Sequence, residues 1–146
     1  MIKFTVPGEP HGQARPRFTT ANGYVHTYDD DKSRNYKTHV RLVAKTAMKE
    51  QGWKVAENDE GIGVNVYAYM GIPKSKSKKF HVSAQKGIVR PTKKPDVDNI
   101  FKAVTDALSG VLFKDDKQII HARVEKYYSD EPRVEVEVFV CRKELS

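Results

Sequence analysis

The chain has 146 residues, 38% of them hydrophobic and 31% charged, with 26 Lys and Arg against 19 Asp and Glu, a net charge of +7. That length predicts one globular domain across 1–146 with its own core, and no apolar run approaches the roughly 18 residues of a membrane span. The single cysteine, Cys141, excludes an internal disulfide and a cysteine-held zinc site, and a reducing cytoplasm is expected.

Ile2, Phe4 and Val6 alternate with Lys3 and Thr5, which predicts a strand over 2–6 that opens the chain rather than a signal peptide. Pro7-Gly8 stops it, and an irregular stretch carrying Pro10, Gly12, Arg15, Pro16, Arg17 and Gly23 is expected up to Asp31. Tyr36, Val40, Val43, Ala44, Ala47 and Met48 recur at helical spacing, so a helix is predicted from Asp31 to Gln51. Asp29, Asp30 and Asp31 suit its positive end and Gly52 its close. Ile62, Val64, Val66, Ala68 and Met70 alternate through a second strand. An extended connection follows over 74–95, with which a short helix near Lys78–Gln85 is compatible. A further helix begins at Asp98 or Asn99, with Ile100, Ala103, Val104, Ala107 and Leu108 on one face and Gly110 closing it. Strands are predicted over 118–128 and through Val134, Val136, Val138 and Val140, with Pro132 at the turn between them. This order implies an α+β fold: a mixed sheet of about four strands with its helices packed mainly on one face.

A basic surface favours polyanions, because each phosphate neutralised releases condensed counterions. The charge is concentrated in the 74–95 connection, where Lys74, Lys76, Lys78, Lys79, Lys86, Arg90, Lys93 and Lys94 occur without any acid and with Phe80 and His81 between them. One reading is a solvated surface loop. The other is an arm that contacts phosphates and positions DNA without reading its bases.

The arm runs directly into Asp96-Val97-Asp98-Asn99. If that segment is still extended, both carboxylates point the same way. Like charges so placed are relieved by a shared cation, and oxygen donors without neighbouring His or Cys suit Mg²⁺, with Mn²⁺ as the alternative. Asp98 taken alone equally suits a helix N-cap, a role that leaves Asp96 unexplained. A second acid pair, Asp115-Asp116, precedes a strand; two aspartates are also ordinary in a polar turn. Should the chain return from the helix so that these acids meet, three carboxylates would converge beside the basic arm. Lys102, one turn beyond Asp98, would then neutralise charge at a phosphate or position a water, unless it only pairs with Asp98 or Asp106.

The strings Lys94-Pro95-Asp96-Val97-Asp98-Asn99-Ile100-Phe101-Lys102, Asp106-Ala107-Leu108 and Asp115-Asp116-Lys117-Gln118-Ile119, in this order and spacing, resemble the RusA family of Holliday-junction resolvases, common in prophages and bacteria. Gln13-Ala14-Arg15-Pro16-Arg17-Phe18 resembles that family's opening segment, which adds Arg15 and Arg17 to the candidate DNA contacts. The resemblance implies a RusA-like fold and an Mg²⁺-dependent homodimer that resolves four-way DNA junctions by paired, symmetrical nicks. It assigns Asp96, Asp98 and Asp116 as metal-binding catalytic acids, with Asp115 as a further candidate ligand and Lys102 as the assisting lysine. A dimer also follows from need, since one chain carries one such acid set and a junction requires two coordinated cuts.

Two rivals stand beside this reading. One is a junction-binding recombination accessory protein without catalysis, in which the acids are caps and turns. The other is a flap or fork nuclease on the same scaffold. A metal-independent ribonuclease is disfavoured, because His11, His26, His39, His81 and His121 show no paired arrangement.

Overall fold

The computed structural model describes residues 1–14, 17–21 and 23–141, and at Arg17 and Ala21 the backbone alone. Four strands form one mixed sheet: β1 (Ile2–Pro7), β4 (Ile62–Gly71), β5 (Ile119–Ser129) and β6 (Arg133–Val140), in spatial order β1-β6-β4-β5. β4 and β5 run parallel, while β6 is antiparallel to both β1 and β4. A separate two-stranded hairpin, β2 (Arg17–Ala21) and β3 (Tyr24–Tyr28), occupies part of the stretch expected to be irregular. The helices are α1 (Asp31–Gln51), α2 (Lys78–Gln85) and α3 (Val97–Leu108).

The period-two pattern of β4 sorts the sheet into two faces. Val64, Val66 and Ala68 are fully buried, and Asn65, Tyr67 and Tyr69 stand half-exposed on the other side. α1 and α3 cover the buried face: Val40, Ala44 and Ala47 of α1 and Ile100, Val104, Ala107 and Leu108 of α3 share one core with Ile2, Val6, Val64, Val66, Val136 and Val138. Each such aliphatic side chain contributes roughly 1.5–3 kcal/mol by leaving water. The expected α+β layering is therefore observed.

Local chemistry sets the helix ends. Asp30 caps α1 by accepting the Ser33 N–H at 2.8 Å, and Gly52 closes it with a left-handed φ of 69°. α3 starts at Val97, before the expected Asp98 or Asn99, and Ser109 rather than Gly110 ends it. Its far end is tied to α1 by Arg41, whose Nε donates to the Ala107 carbonyl at 3.2 Å. A 3-10 turn over Asp116–Gln118 leads into β5, which begins one residue later than the predicted 118.

Candidate active site

α3 is the platform. Its apolar stripe faces the core, which leaves Asp98 and Lys102 exposed and Asp106 half-exposed on the outer side. These three positions are four residues apart, so they form one row along the helix surface. Asp96 holds the N-cap backbone conformation (φ −73°, ψ 153°), yet its side chain makes no capping hydrogen bond. Asp98 lies within the first turn and is not the cap. The capping explanation therefore fails for Asp98, and Asp96 keeps an exposed carboxylate at the positive end of a helix. The two acids are not in an extended segment, so the same-side geometry expected from period two does not apply to them. Lys102 pairs with Asp106, Nζ to Oδ2 at 3.6 Å, and not with Asp98; at 62% side-chain exposure for the lysine this is a surface pair, worth a few tenths of a kcal/mol.

The second acid pair is held by its own turn. Asp115 Oδ1 accepts the Lys117 N–H at 2.9 Å. Gln118, buried at 5% exposure, accepts the backbone N–H groups of Lys114 and Asp115 through Oε1, both at 2.9 Å. Its Nε2 donates to the carbonyls of Glu57 and Glu60. One glutamine thus anchors the turn to the loop before β4. The carboxyls of Asp115 and Asp116 shift one another's ionisation in opposite directions. The Lys117 N–H and the Asp116 carboxyl hold Asp115 below the usual carboxylate range. Asp116 is pushed upward by the neighbouring Asp115 carboxyl, by desolvation and by the negative charge of Asp106, with Lys102 opposing. Two like charges locked side by side favour a shared proton or a shared cation.

Asp116 lies within electrostatic reach of Lys102 and Asp106 on α3. Asp98 stands about 12 Å from Asp106 along the helix axis, at 1.5 Å per residue. Among the described residues, no group of three or more His, Cys, Asp or Glu side chains is close enough to hold a metal ion. Lys102 and Asp106 are thus paired on α3 with Asp116 in electrostatic reach of both, while Asp98 lies at the other end of the row and Asp96 just before the helix. The donors still suit a hard cation. Mg²⁺ keeps several waters and takes one or two carboxylates plus substrate phosphates, so two acids at each end of a lysine-bearing row match its needs without a closed protein cage.

The segment before the hairpin lies across the start of α3. Gly12 packs so closely on it that a Cβ there would sit 2.7 Å from the Cβ of Pro95. The Gln13 N–H donates to the Asn99 carbonyl at 2.9 Å. A cleft of about 300 Å³ separates Gly12, Gln13 and Ala14 from Lys94, Pro95, Asp96 and Asn99. The Gln13-to-Arg17 segment therefore starts beside Asp96, far from it in sequence; Arg15 itself lies outside the described residues.

Residues 7–139 match the endodeoxyribonuclease RusA family. The chain belongs to that family. It is also 47% identical over 135 residues to an uncharacterised protein, YqaN, of Bacillus subtilis (strain 168), a match covering 92% of this chain and 93% of that one. The RusA assignment makes the chain a nuclease of DNA.

In this RusA chain the 74–95 arm is more ordered than its composition suggested. α2 lies within it, capped by Ser77, whose Oγ accepts the Phe80 N–H at 3.2 Å. Phe80 is an anchor: its ring meets Tyr128 edge-on at 5.7 Å, with Lys76 Nζ 5.1 Å from its centroid. Arg90 donates to the Lys126 carbonyl at 2.8 Å and lies 4.2 Å over the Tyr127 ring, so it ties the arm to the outer edge of β5. Lys74, Lys76, Lys78, Lys79, Lys86, Lys93 and Lys94 remain exposed. No helix among the described residues is long and apolar enough to cross a membrane. Two features escaped the sequence reading, the Gln118 anchor and the β2–β3 hairpin. The Asp115-to-Gln118 spacing is that of a capping box, and Asn22-Gly23 is a strong sequence signal for a two-residue hairpin turn; both were visible locally.

Proposed function

We propose that this RusA-family chain is an Mg²⁺-dependent endonuclease of four-way DNA junctions, acting in the cytoplasm as a homodimer that nicks two strands symmetrically. The observation that carries the reading is the exposed Asp96 carboxylate, which sits at an N-cap position without capping and heads the row that runs through Asp98 and Lys102 toward the Asp115–Asp116 pair.

In this reading Asp96, Asp98 and Asp116 are the acids that would meet Mg²⁺, the first two at one end of the row and Asp116 at the other, with water and substrate phosphate completing its shell and Asp115 beside Asp116 as a further donor. Bound there, Mg²⁺ supplies an acidified water and offsets charge on the phosphate. Lys102, mid-row and exposed, balances the negative charge that grows on the phosphate oxygens as the bond breaks. Asp106 holds that ammonium in the row until substrate arrives. The exposed lysines of the arm and Arg15 and Arg17 take the flanking phosphates and fix the duplex relative to the acids. One acid row per chain makes one cut, and a two-fold pair of chains matches the symmetry of a four-way junction.

The test is cleavage of an end-labelled mobile four-way junction with and without Mg²⁺, beside fork, flap and linear duplex of the same sequences. The expected result is a pair of symmetrical nicks in opposed strands of the junction, abolished by EDTA. Retention of the junction in a gel without any cleavage would return the chain to an accessory role, and preferential cutting of flaps or forks would move it to that substrate class.

A further inference from the structure

The hairpin has no place in the fold. All five residues of β3 are exposed, as are Phe18, Thr19 and Thr20 of β2, and among the described residues the two strands pair only with each other. Phe18 and Tyr24 are each 71% exposed and Val25 69%. A lone two-stranded ribbon is marginal in water, and exposed apolar rings of this density mark a contact surface.

The strand register says what kind of surface. Phe18 faces Thr27 and Thr20 faces Val25, so these four share one side of the ribbon. Thr19 faces His26 and Ala21 faces Tyr24, which puts Tyr24, His26 and Tyr28 on the other. Large side chains project from both faces. A ribbon that docks on a protein needs one apolar face, whereas one that inserts between two surfaces needs two. The partner is also anionic by complement, since residues 10–28 contain Arg15 and Arg17 and no acid.

The base of the ribbon is clamped beside the acid row. Gln13, just before β2, donates its N–H to Asn99 in the first turn of α3 and its Nε2 to Asp29 Oδ1 at 3.0 Å. Asp29, just after β3, is ion-paired with the buried Lys37 of α1. Both stems are thus tied down next to the start of α3, with Phe18 near the clamped end and Tyr24 and Val25 at the free end of the ribbon. The clamp fixes the base of the ribbon beside the first turn of α3.

We infer that the β2–β3 ribbon is a wedge that enters the branch point of its DNA substrate and stacks Phe18 and Tyr24 on the base pairs bordering it. Rings bind bases by their faces, and within duplex these faces are covered by neighbouring pairs; only where arms diverge are they open. Such a wedge would select branched over linear DNA without reading sequence. This rests on the nuclease reading above.

The experiment compares wild type with Phe18→Ser/Tyr24→Ser, both positions exposed, and with the ring-conserving Phe18→Tyr/Tyr24→Phe. The reporter is a four-way junction carrying 2-aminopurine at the pair bordering the branch, titrated to saturation in EDTA. Wild type and the ring-conserving variant should raise the fluorescence by unstacking that base. The serine variant should not, and should cut the junction at least about tenfold more slowly in Mg²⁺ while binding linear duplex as before. Wild type that neither binds nor cuts the junction removes the nuclease reading and the wedge with it. If wild type cuts the junction but the serine variant matches it in fluorescence and rate, the wedge alone is overturned. A serine variant that has become monomeric in sedimentation beside a dimeric wild type would assign the ribbon to self-association instead.

Discussion

The side-chain carbonyl of Gln118 accepts the backbone N–H of Asp115 at 2.9 Å, the same oxygen taking the N–H of Lys114. Four hydrogen bonds from one buried amide thereby set where the Asp115–Asp116 pair stands relative to Lys102. The exposed Asp115 carboxylate adds one more bond, accepting the Lys117 N–H at 2.9 Å.

Replacing that amide tests the arrangement. Gln118→Leu strands buried N–H and C=O groups and should lower stability by about 2–3 kcal/mol. Gln118→Glu keeps the acceptor bonds and loses the donors, and should cost less. Thermal melts read both, and a titration of cleavage against Mg²⁺ should show a higher half-saturating concentration in the order wild type, Glu, Leu. Equal metal dependence in all three would separate the turn from the reaction.

Asp96 and Asp98 give the sharpest test of the row. Asp96→Asn and Asp98→Asn should each reduce junction cleavage at least about a hundredfold while gel-shift affinity stays the same or improves, because a negative charge near phosphate is removed. Since Asp96 makes no capping bond, the melting temperature should barely move. Wild-type cutting by either variant would sink the assignment of that acid.

The lysines of the arm predict a salt effect. Lys76→Ala/Lys78→Ala/Lys79→Ala should weaken junction binding and flatten the slope of log K against log salt by up to about 0.9 for each phosphate no longer neutralised. α2 should remain folded, because Phe80 and Ala84, not the lysines, hold it to β5. An unchanged slope would mean that these side chains point away from DNA.

Asp29 supplies a pH dependence. Its hydrogen bond with Lys37, aided by that cation's charge and by Gln13, holds its folded-state pKa below the unfolded value. A carboxyl so depressed contributes stability above its unfolded pKa, about 3.9, and that contribution is lost as pH falls through the lower folded value. Urea unfolding should show Asp29→Asn less stable than wild type by about 1–3 kcal/mol at pH 7, with the gap narrowing as pH drops below about 4. A gap constant down to about pH 3 would show that the ion pair does not anchor the stem of the hairpin.

Much of this was legible from residues alone, and the reason differs by element. α1, β4 and β6 declare themselves because each buries one side against a core, and burial of one side imposes a period of 3.6 or 2 on the residues. The candidate acids were legible because DNA chemistry needs oxygen donors of a few types, grouped tightly enough in the chain to be seen without a fold. The hairpin was not, since a ribbon exposed on both faces has no alternation of burial to write into its sequence; its signal was confined to Asn22-Gly23.

What only tertiary structure decided is which group stands next to which. Asp96 and Asp98 are equally good caps by residue type, and the chain's choice of Asp96 as the cap position is visible only in the folded backbone. The arm reads as free charge because its anchors, Phe80 and Arg90, find their partners Tyr128, Tyr127 and the Lys126 carbonyl some 36 to 48 positions later. The bond of Gln13 to the Asn99 carbonyl likewise joins residues remote in the chain, and Lys102 reaches Asp116 through its field. Periodicity records whether a side chain faces a core; it carries no address for the residue on the other side.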